Sequence, residues 1–192
     1  MKVNKRHSAA LSVAALLLAL PGCSSDDSGK KLDDWAKGVC DQAQTQVKKI
    51  DDANTSISKV NSSGSPQEVK SADSAAFQSI SDAYKSLAQT FDSAGPAPNG
   101  KEGATFQQNA VSVFTTLSSQ YAALKKQVDG LNTSDQSKFA DGLKGVSTSL
   151  SQTTANGEKA LTTLRQGDAG KALAKQPGCQ RVSGSASPSA SS

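Results

Sequence analysis

The chain has 192 residues, 21 basic, 17 acidic and one histidine, for a formal net charge of +4. Residues 1–22 hold three of the basic residues (Lys2, Lys5 and Arg6), the single histidine (His7) and no acidic residue. The other 18 basic and 17 acidic residues nearly balance, so no basic field remains to hold a nucleic acid. With His7 confined to that segment, the remainder offers no imidazole for Ser/His or Cys/His catalysis or for a histidine metal site.

The amino end reads in three parts. Lys2, Lys5 and Arg6 come first, residues 9–20 form an apolar stretch, and Leu20, Pro21, Gly22 and Cys23 follow. A basic start, a short apolar run and a small residue before the cut make a secretory signal. The run is well short of the roughly 20 apolar residues needed to span a bilayer.

Leu20, Pro21, Gly22 and Cys23 resemble the lipobox of bacterial lipoproteins, although Pro21 departs from the small or β-branched residue usual there. The resemblance implies cleavage between Gly22 and Cys23 and a diacylglyceryl group on the Cys23 thiol. It also implies a chain held on the outer face of the cytoplasmic membrane by two or more acyl chains, where one would not suffice. The alternative is an ordinary secreted protein cut nearby, with Cys23 free or in a disulfide.

Cys23 and the polar residues 24–30 are expected to form a flexible tether spanning roughly 13 to 16 Å. Beyond it, apolar residues recur at spacings of three and four, which marks amphipathic helices. The first helix is expected over about residues 32–60, with Leu32, Trp35, Val39, Ala43, Val47, Ile50, Ile57 and Val60 on one stripe. Asp33 and Asp34 lie in its first turn, where the helix dipole favours negative charge. Trp35 reads either as a cover for the end of the core or as an interfacial anchor. Asp51 and Asp52 read as a solvated face or as ligands to a hard cation, but adjacent helix positions point apart.

The second helix is expected over about 66–93. Ser65 and Glu68 make a capping box, Pro66 suits the first helical position, and Val69, Ala76, Ile80, Ala83, Leu87 and Phe91 form the stripe, widened by Phe77 and Tyr84. Residues 95–100, GPAPNG, break the chain. The third helix covers about 101–129 with Phe106, Ala110, Val113, Leu117, Leu124 and Val128, and Gly130 ends it. Helices two and three match at an offset of 37, pairing Phe77 with Phe114, Ile80 with Leu117, Tyr84 with Tyr121 and Leu87 with Leu124. Shared heptad patterning accounts for this more simply than duplication does. The two tyrosines and the phenylalanines read as core, or else as the lining of a ligand cavity.

The fourth helix is expected from Thr133 or Ser134, with Thr133 and Gln136 as a second capping box. It presents Phe139, Leu143, Val146, Leu150, Leu161 and Leu164, with a kink or break at Asn156 and Gly157. Gly142 and Gly145 either permit close packing or weaken this helix. The pattern allows a short fifth helix over about 168–175 before Pro177, and the Ser/Ala-rich residues 181–192 read as a disordered tail.

Long helices joined by a few residues favour antiparallel neighbours. The expected architecture is all-α: an up-down-up-down four-helix bundle over residues 31–180. Cys40 and Cys179, exported to an oxidising compartment, form an even pair expected to close a disulfide, two free thiols being the alternative. An even number of long helices returns the chain to its starting end, which places Cys179 near Cys40. Gly38 and Gly178, beside these cysteines, would allow close backbone approach.

Asp34, Trp35, Ala36, Lys37, Val39 and Cys40, the run KFADGLKG at 138–145 and AKQPGC at 174–179 resemble, together with the lipobox, the uncharacterised small secreted lipoproteins of actinobacteria. The likeness implies a Gram-positive envelope and a helical domain, with no cofactor and no known activity. The leading expectation is a non-enzymatic binding or accessory role toward an envelope protein, a glycan or a small ligand. The alternative is a carrier holding a small apolar ligand in a cavity of several hundred Å³ lined by Phe and Tyr. An enzyme restricted to carboxylates, Lys and Tyr comes third.

Overall fold

A computed structural model describes residues 25–60 and 64–180. Gly22, Cys23 and the tail 181–192 lie outside the described residues, so the signal cleavage, lipidation and disorder expected there are not addressed by it. Six helices follow in order: α1 (Ser25–Lys59), α2 (Pro66–Ala94), α3 (Lys101–Asp129), α4 (Gln136–Leu164), α5 (Gly167–Lys175) and α6 (Pro177–Gln180). The described residues contain no strand. The four long helices run up, down, up and down, as the short connections require.

Local chemistry sets the helix ends. At α2 the capping box forms as expected: the Glu68 amide donates to Ser65 Oγ at 3.3 Å and the Ser65 amide donates to Glu68 Oε2 at 2.9 Å. The expected box at Thr133 and Gln136 does not form. Asp135 caps α4 instead, its carboxylate accepting the Lys138 amide at 3.0 Å. The preceding residues are held in a turn, where Leu131 N–H donates to Val128 O at 3.0 Å and Ser134 N–H donates to Asn132 Oδ1 at 2.9 Å. An ionised cap bonds the first amides more strongly than a hydroxyl does.

The start of α1 corrects a second expectation. The helix begins at Ser25, not near Leu32, so most of the segment read as a flexible tether is helical. Asp27 and Lys31, one turn apart, support it with an exposed ion pair at 3.7 Å. Trp35 rests against Phe91 of α2. Ten residues of α1 precede Trp35, about 15 Å of helix, whereas α2 continues only three residues past Phe91, about 4.5 Å. The first turns of α1 therefore project roughly 10 Å beyond the end of α2.

Seven of the eight aromatic residues form one continuous ladder. Phe77 meets Tyr121, Tyr121 meets Tyr84, Tyr84 meets Phe114, Phe114 meets Phe91, and Phe91 and Phe106 both meet Trp35, with centroid separations of 5.3 to 6.5 Å. Because the helices are antiparallel, matched residues meet directly only near the middle of the hairpin, where Tyr84 faces Tyr121 at 5.7 Å. Away from it they exchange roles: Phe77 faces Tyr121 as Phe114 faces Tyr84, both at 6.2 Å. Ser81 meets Ser118 itself, its hydroxyl donating to the Ser118 carbonyl at 2.9 Å. The shared pattern thus gives the α2–α3 hairpin a local two-fold relation.

α4 is the loosely held member. It packs against α3, and among the described residues no comparable contact joins it to α1. Only Phe139, Val146, Thr153 and Gly157 of α4 are buried, while Leu143, Leu150, Leu161 and Leu164 are half-buried. Of the expected kink or break at Asn156 and Gly157, the break is absent: α4 is one continuous helix through both. Gly157 is buried against α3, where an added Cβ would lie 2.9 Å from Leu117 Cδ2. The glycine serves close packing there.

α5 and α6 cross to α1 and pack on it. The Cys40–Cys179 disulfide fastens them, with a Cα–Cα separation of 5.2 Å across 139 residues. The two glycines beside it differ. A Cβ on Gly178 would lie 2.7 Å from the Cys40 carbonyl oxygen, whereas Gly38 faces open space. Likewise Gly142 sits against the Leu131 side chain and Gly145 is open.

Candidate functional site

Because α4 packs closely on α3 and less closely on α1, a slot runs between α1 and α4. Near the disulfide it holds a cavity of about 90 Å³. Val47 of α1 forms one wall, Leu161 and Leu164 of α4 the other, and Leu87, Phe91 and Phe114 of α2 and α3 the floor. Leu173 and Ala174 of α5 and the Cys179 end of α6 close it off, and Arg165, the residue that ends α4, stands at its edge. The lining is otherwise apolar, so an occupant gains by desolvation and not by hydrogen bonding.

The cavity is smaller than the several hundred Å³ expected for a carrier. Its phenylalanines match the expectation, but neither tyrosine lines it. Tyr84 and Tyr121 lie in the packed layer beyond, 8% and 7% exposed, which is the core reading. Burial, the Tyr121 hydroxyl and the charge on Asp51 push the Tyr84 hydroxyl well above its ordinary pKa. Burial also raises Tyr121, while a hydrogen bond with Thr154 partly opposes it. The layer draws one polar residue from each long helix: Asp51, Tyr84, Tyr121 and Thr154. Burial, with the Asp51 charge beside Tyr84, keeps both phenols neutral against the opposing Thr154 hydrogen bond, and neutral phenols at physiological pH are weak acids and poor bases.

A second, open groove of about 720 Å³ lies on the opposite flank of α4, between α3 and the start of α5. Lys101, Glu102, Asn109 and Asp168 edge it, and Phe106 and Val113 form its apolar base. Its polar rim and apolar floor suit a polymer or a protein loop better than a small enclosed ligand.

The remaining candidates are placed as follows. Trp35 is half-buried, edge-on to Phe106 at 6.0 Å, and covers the end of the core. Asp51 is half-buried toward Tyr84, and Asp52 is exposed and paired with Lys48 at 2.7 Å, so the two carboxylates diverge. Among the described residues no three His, Cys, Asp or Glu side chains are placed to share a metal ion. No described helix is long and apolar enough to cross a membrane. Arg165 was missed in the sequence because a single arginine at a helix end carries no periodic signal. Only the gap between α1 and α4 makes it a cavity residue. No protein-family model, curated protein or solved structure matches the chain.

Proposed function

We propose that the chain is a lipid-anchored lipoprotein of a Gram-positive, actinobacterial-type envelope, attached through Cys23 to the outer face of the cytoplasmic membrane. Its helical body binds an envelope protein, a glycan or a small ligand and catalyses no reaction. The observation that supports this reading is the junction with the amino end. α1 starts at Ser25, one residue after Ser24 and two after the lipobox cysteine, and runs unbroken into the bundle. The loop at 95–100, the Cys40–Cys179 bond and α5 share that end of the body. The α3–α4 turn lies at the other end, where an envelope partner would meet it.

The test is Cys23→Ala followed by membrane fractionation. The variant is expected in the soluble fraction and the parent in the membrane fraction; equal partitioning overturns the anchor. Crosslinking in intact cells then identifies the partner, with adducts expected on α4 and the open groove.

A second reading, carriage of a small apolar ligand, has for support the apolar lining of the cavity between α1 and α4, whose volume of about 90 Å³ would have to widen to admit one. Native mass spectrometry of the chain released from membranes is expected to show an adduct. A bare mass alone counts against this reading.

A further inference from the structure

We propose that the open groove between α3, the end of α4 and the start of α5 binds a neutral oligosaccharide. Its ring faces rest on Phe106 and Val113, and its hydroxyls meet Asn109, Ser112 and Gln166. This rests on the envelope-binding reading and names its ligand class. The groove measures about 720 Å³, within the range of sites that hold ligands. It follows α3 from Lys101 to Val113, about 18 Å of helix, which suits a chain of rings better than a single one.

The composition of this flank argues for a neutral, hydroxyl-rich ligand. Residues 103–124 of α3 and 145–157 of α4 contain no charged residue, whereas α1 is charged along most of its length. Between residues 103 and 120 every exposed side chain is Ser, Thr, Asn or Gln. The core of a protein–protein interface is instead enriched in Tyr, Trp, Met and Arg and poor in Ser. None of those four enriched types lines the groove. A charged polymer is also disfavoured. Lys101 at the rim is accompanied by Glu102 and by Asp168, which is directed to Lys171 at 3.9 Å, so an acidic chain meets two carboxylates and one ammonium there.

The groups left free in the groove match a sugar in kind. Hydroxyls and side-chain amides both donate and accept hydrogen bonds, as sugar hydroxyls do. The Thr105 and Thr163 hydroxyls are taken by the Lys101 and Lys159 carbonyls at 3.1 Å. The side chains of Asn109, Ser112 and Gln166 have no partner among the described residues. Asn109 lies three residues after Phe106 and four before Val113, so a free amide and two half-buried apolar side chains share one face of α3. A pyranose has the same make-up, with C–H faces above and below and a rim of hydroxyls. Laying such a face on Phe106 and Val113 removes their remaining apolar surface from water. Gln166 reaches the groove from the turn between α4 and α5.

The experiment follows the backbone amide NMR shifts of the full chain in phosphocholine micelles. Neutral tetrasaccharides of glucose, mannose, galactose and N-acetylglucosamine are added in turn, with tetragalacturonate as the acidic counterpart. Expected is a saturable shift by at least one neutral oligomer, centred on Asn109, Ser112 and Gln166, and none by the acid. Asn109→Ala should weaken that binding about tenfold through its lost hydrogen bonds. Gln108→Ala, beside it on α3 but outside the groove, should leave it unchanged. Both residues are exposed, so these variants should fold, and circular dichroism verifies it.

No shift by any neutral oligomer at its solubility limit, a shift by tetragalacturonate alone, or equal loss in the two variants overturns the oligosaccharide inference. If crosslinking in intact cells then finds a protein on the groove, the envelope-binding reading still stands. If it finds no adduct there or on α4, that reading fails as well.

Discussion

Tyr84 and Tyr121 face each other with ring centroids 5.7 Å apart, each also packed on the phenylalanine that its counterpart's helix supplies. Both phenols are buried, and burial raises both pKa values above the ordinary 10. The unfolded chain therefore releases these protons first. The stabilisation is fully present below pH 10 and is lost as pH rises from there towards the folded values. A spectrophotometric titration should show no free-tyrosine step near pH 10. Phenolate should appear together with loss of helical circular dichroism at higher pH. A reversible tyrosine step near 10 with the helices intact would contradict the packing.

Tyr121→Phe removes the hydrogen bond to Thr154, which is a tie between α3 and α4. It should cost about 1 kcal/mol in urea unfolding. Thr154→Val should cost little more when added to it, because the two side chains share one bond. Additive losses in the double variant would separate them.

The Cys40–Cys179 bond closes a loop with a sequence separation of 139. On the chain-entropy model such a loop is worth about 4 to 5 kcal/mol. Cys40→Ala with Cys179→Ala, or reduction under native conditions, should lower the unfolding free energy by about that amount. A loss below about 1 kcal/mol would mean that α5 and α6 hold to α1 by packing alone.

The glycines flanking this bond should respond with opposite sign. Gly38 is exposed inside α1 with open space at its Cβ position, so Gly38→Ala should stabilise by about 0.5 to 1 kcal/mol through helix propensity. Gly178→Ala would drive a methyl against the Cys40 carbonyl and should destabilise. Thermal unfolding of the two variants reads both signs, and two shifts in the same direction would refute the contrast.

Caps offer a further comparison. Ser65→Ala and Asp135→Ala should each cost about 1 kcal/mol, whereas Thr133→Ala should stay within about 0.5 kcal/mol because it caps nothing. The backbone and hydroxyl of Ser65 hold the Glu68 carboxyl below its ordinary pKa of 4.5. Its stabilisation is thus present above that pH and fades as pH falls. Amide chemical shifts of the first α2 turn, followed by NMR from pH 6 to 3, should titrate below 4.5.

Those comparisons mark how far the sequence could be read. α3 and the start of α2 were legible because each boundary has a strong local cause: Pro66 after Ser65, and the GPAPNG break before Lys101. The disulfide was legible from two cysteines and an even helix count. The early start of α1 was not, because a run rich in Ser, Asp and Gly has weak helix propensity and is carried by its continuity with the apolar stripe beyond. Asn156 and Gly157 read as a break because propensity is local, whereas the reason for the glycine is Leu117 on another helix. The cavity was illegible for the same reason. It exists because α1 and α4, distant in the chain, pack loosely on each other, and no spacing in the chain records how closely two distant helices approach.

The projecting turns of α1 carry a mechanical consequence. A body on a string keeps its distance from the anchor but may face any direction; a body whose first helix is also its stalk inherits the heading of that helix. Trp35, locked between Phe91 and Phe106, is the rivet that passes this heading to the bundle. Anything that grips the first turns of α1 would thus steer which flank of the bundle, slot or groove, is turned toward a partner.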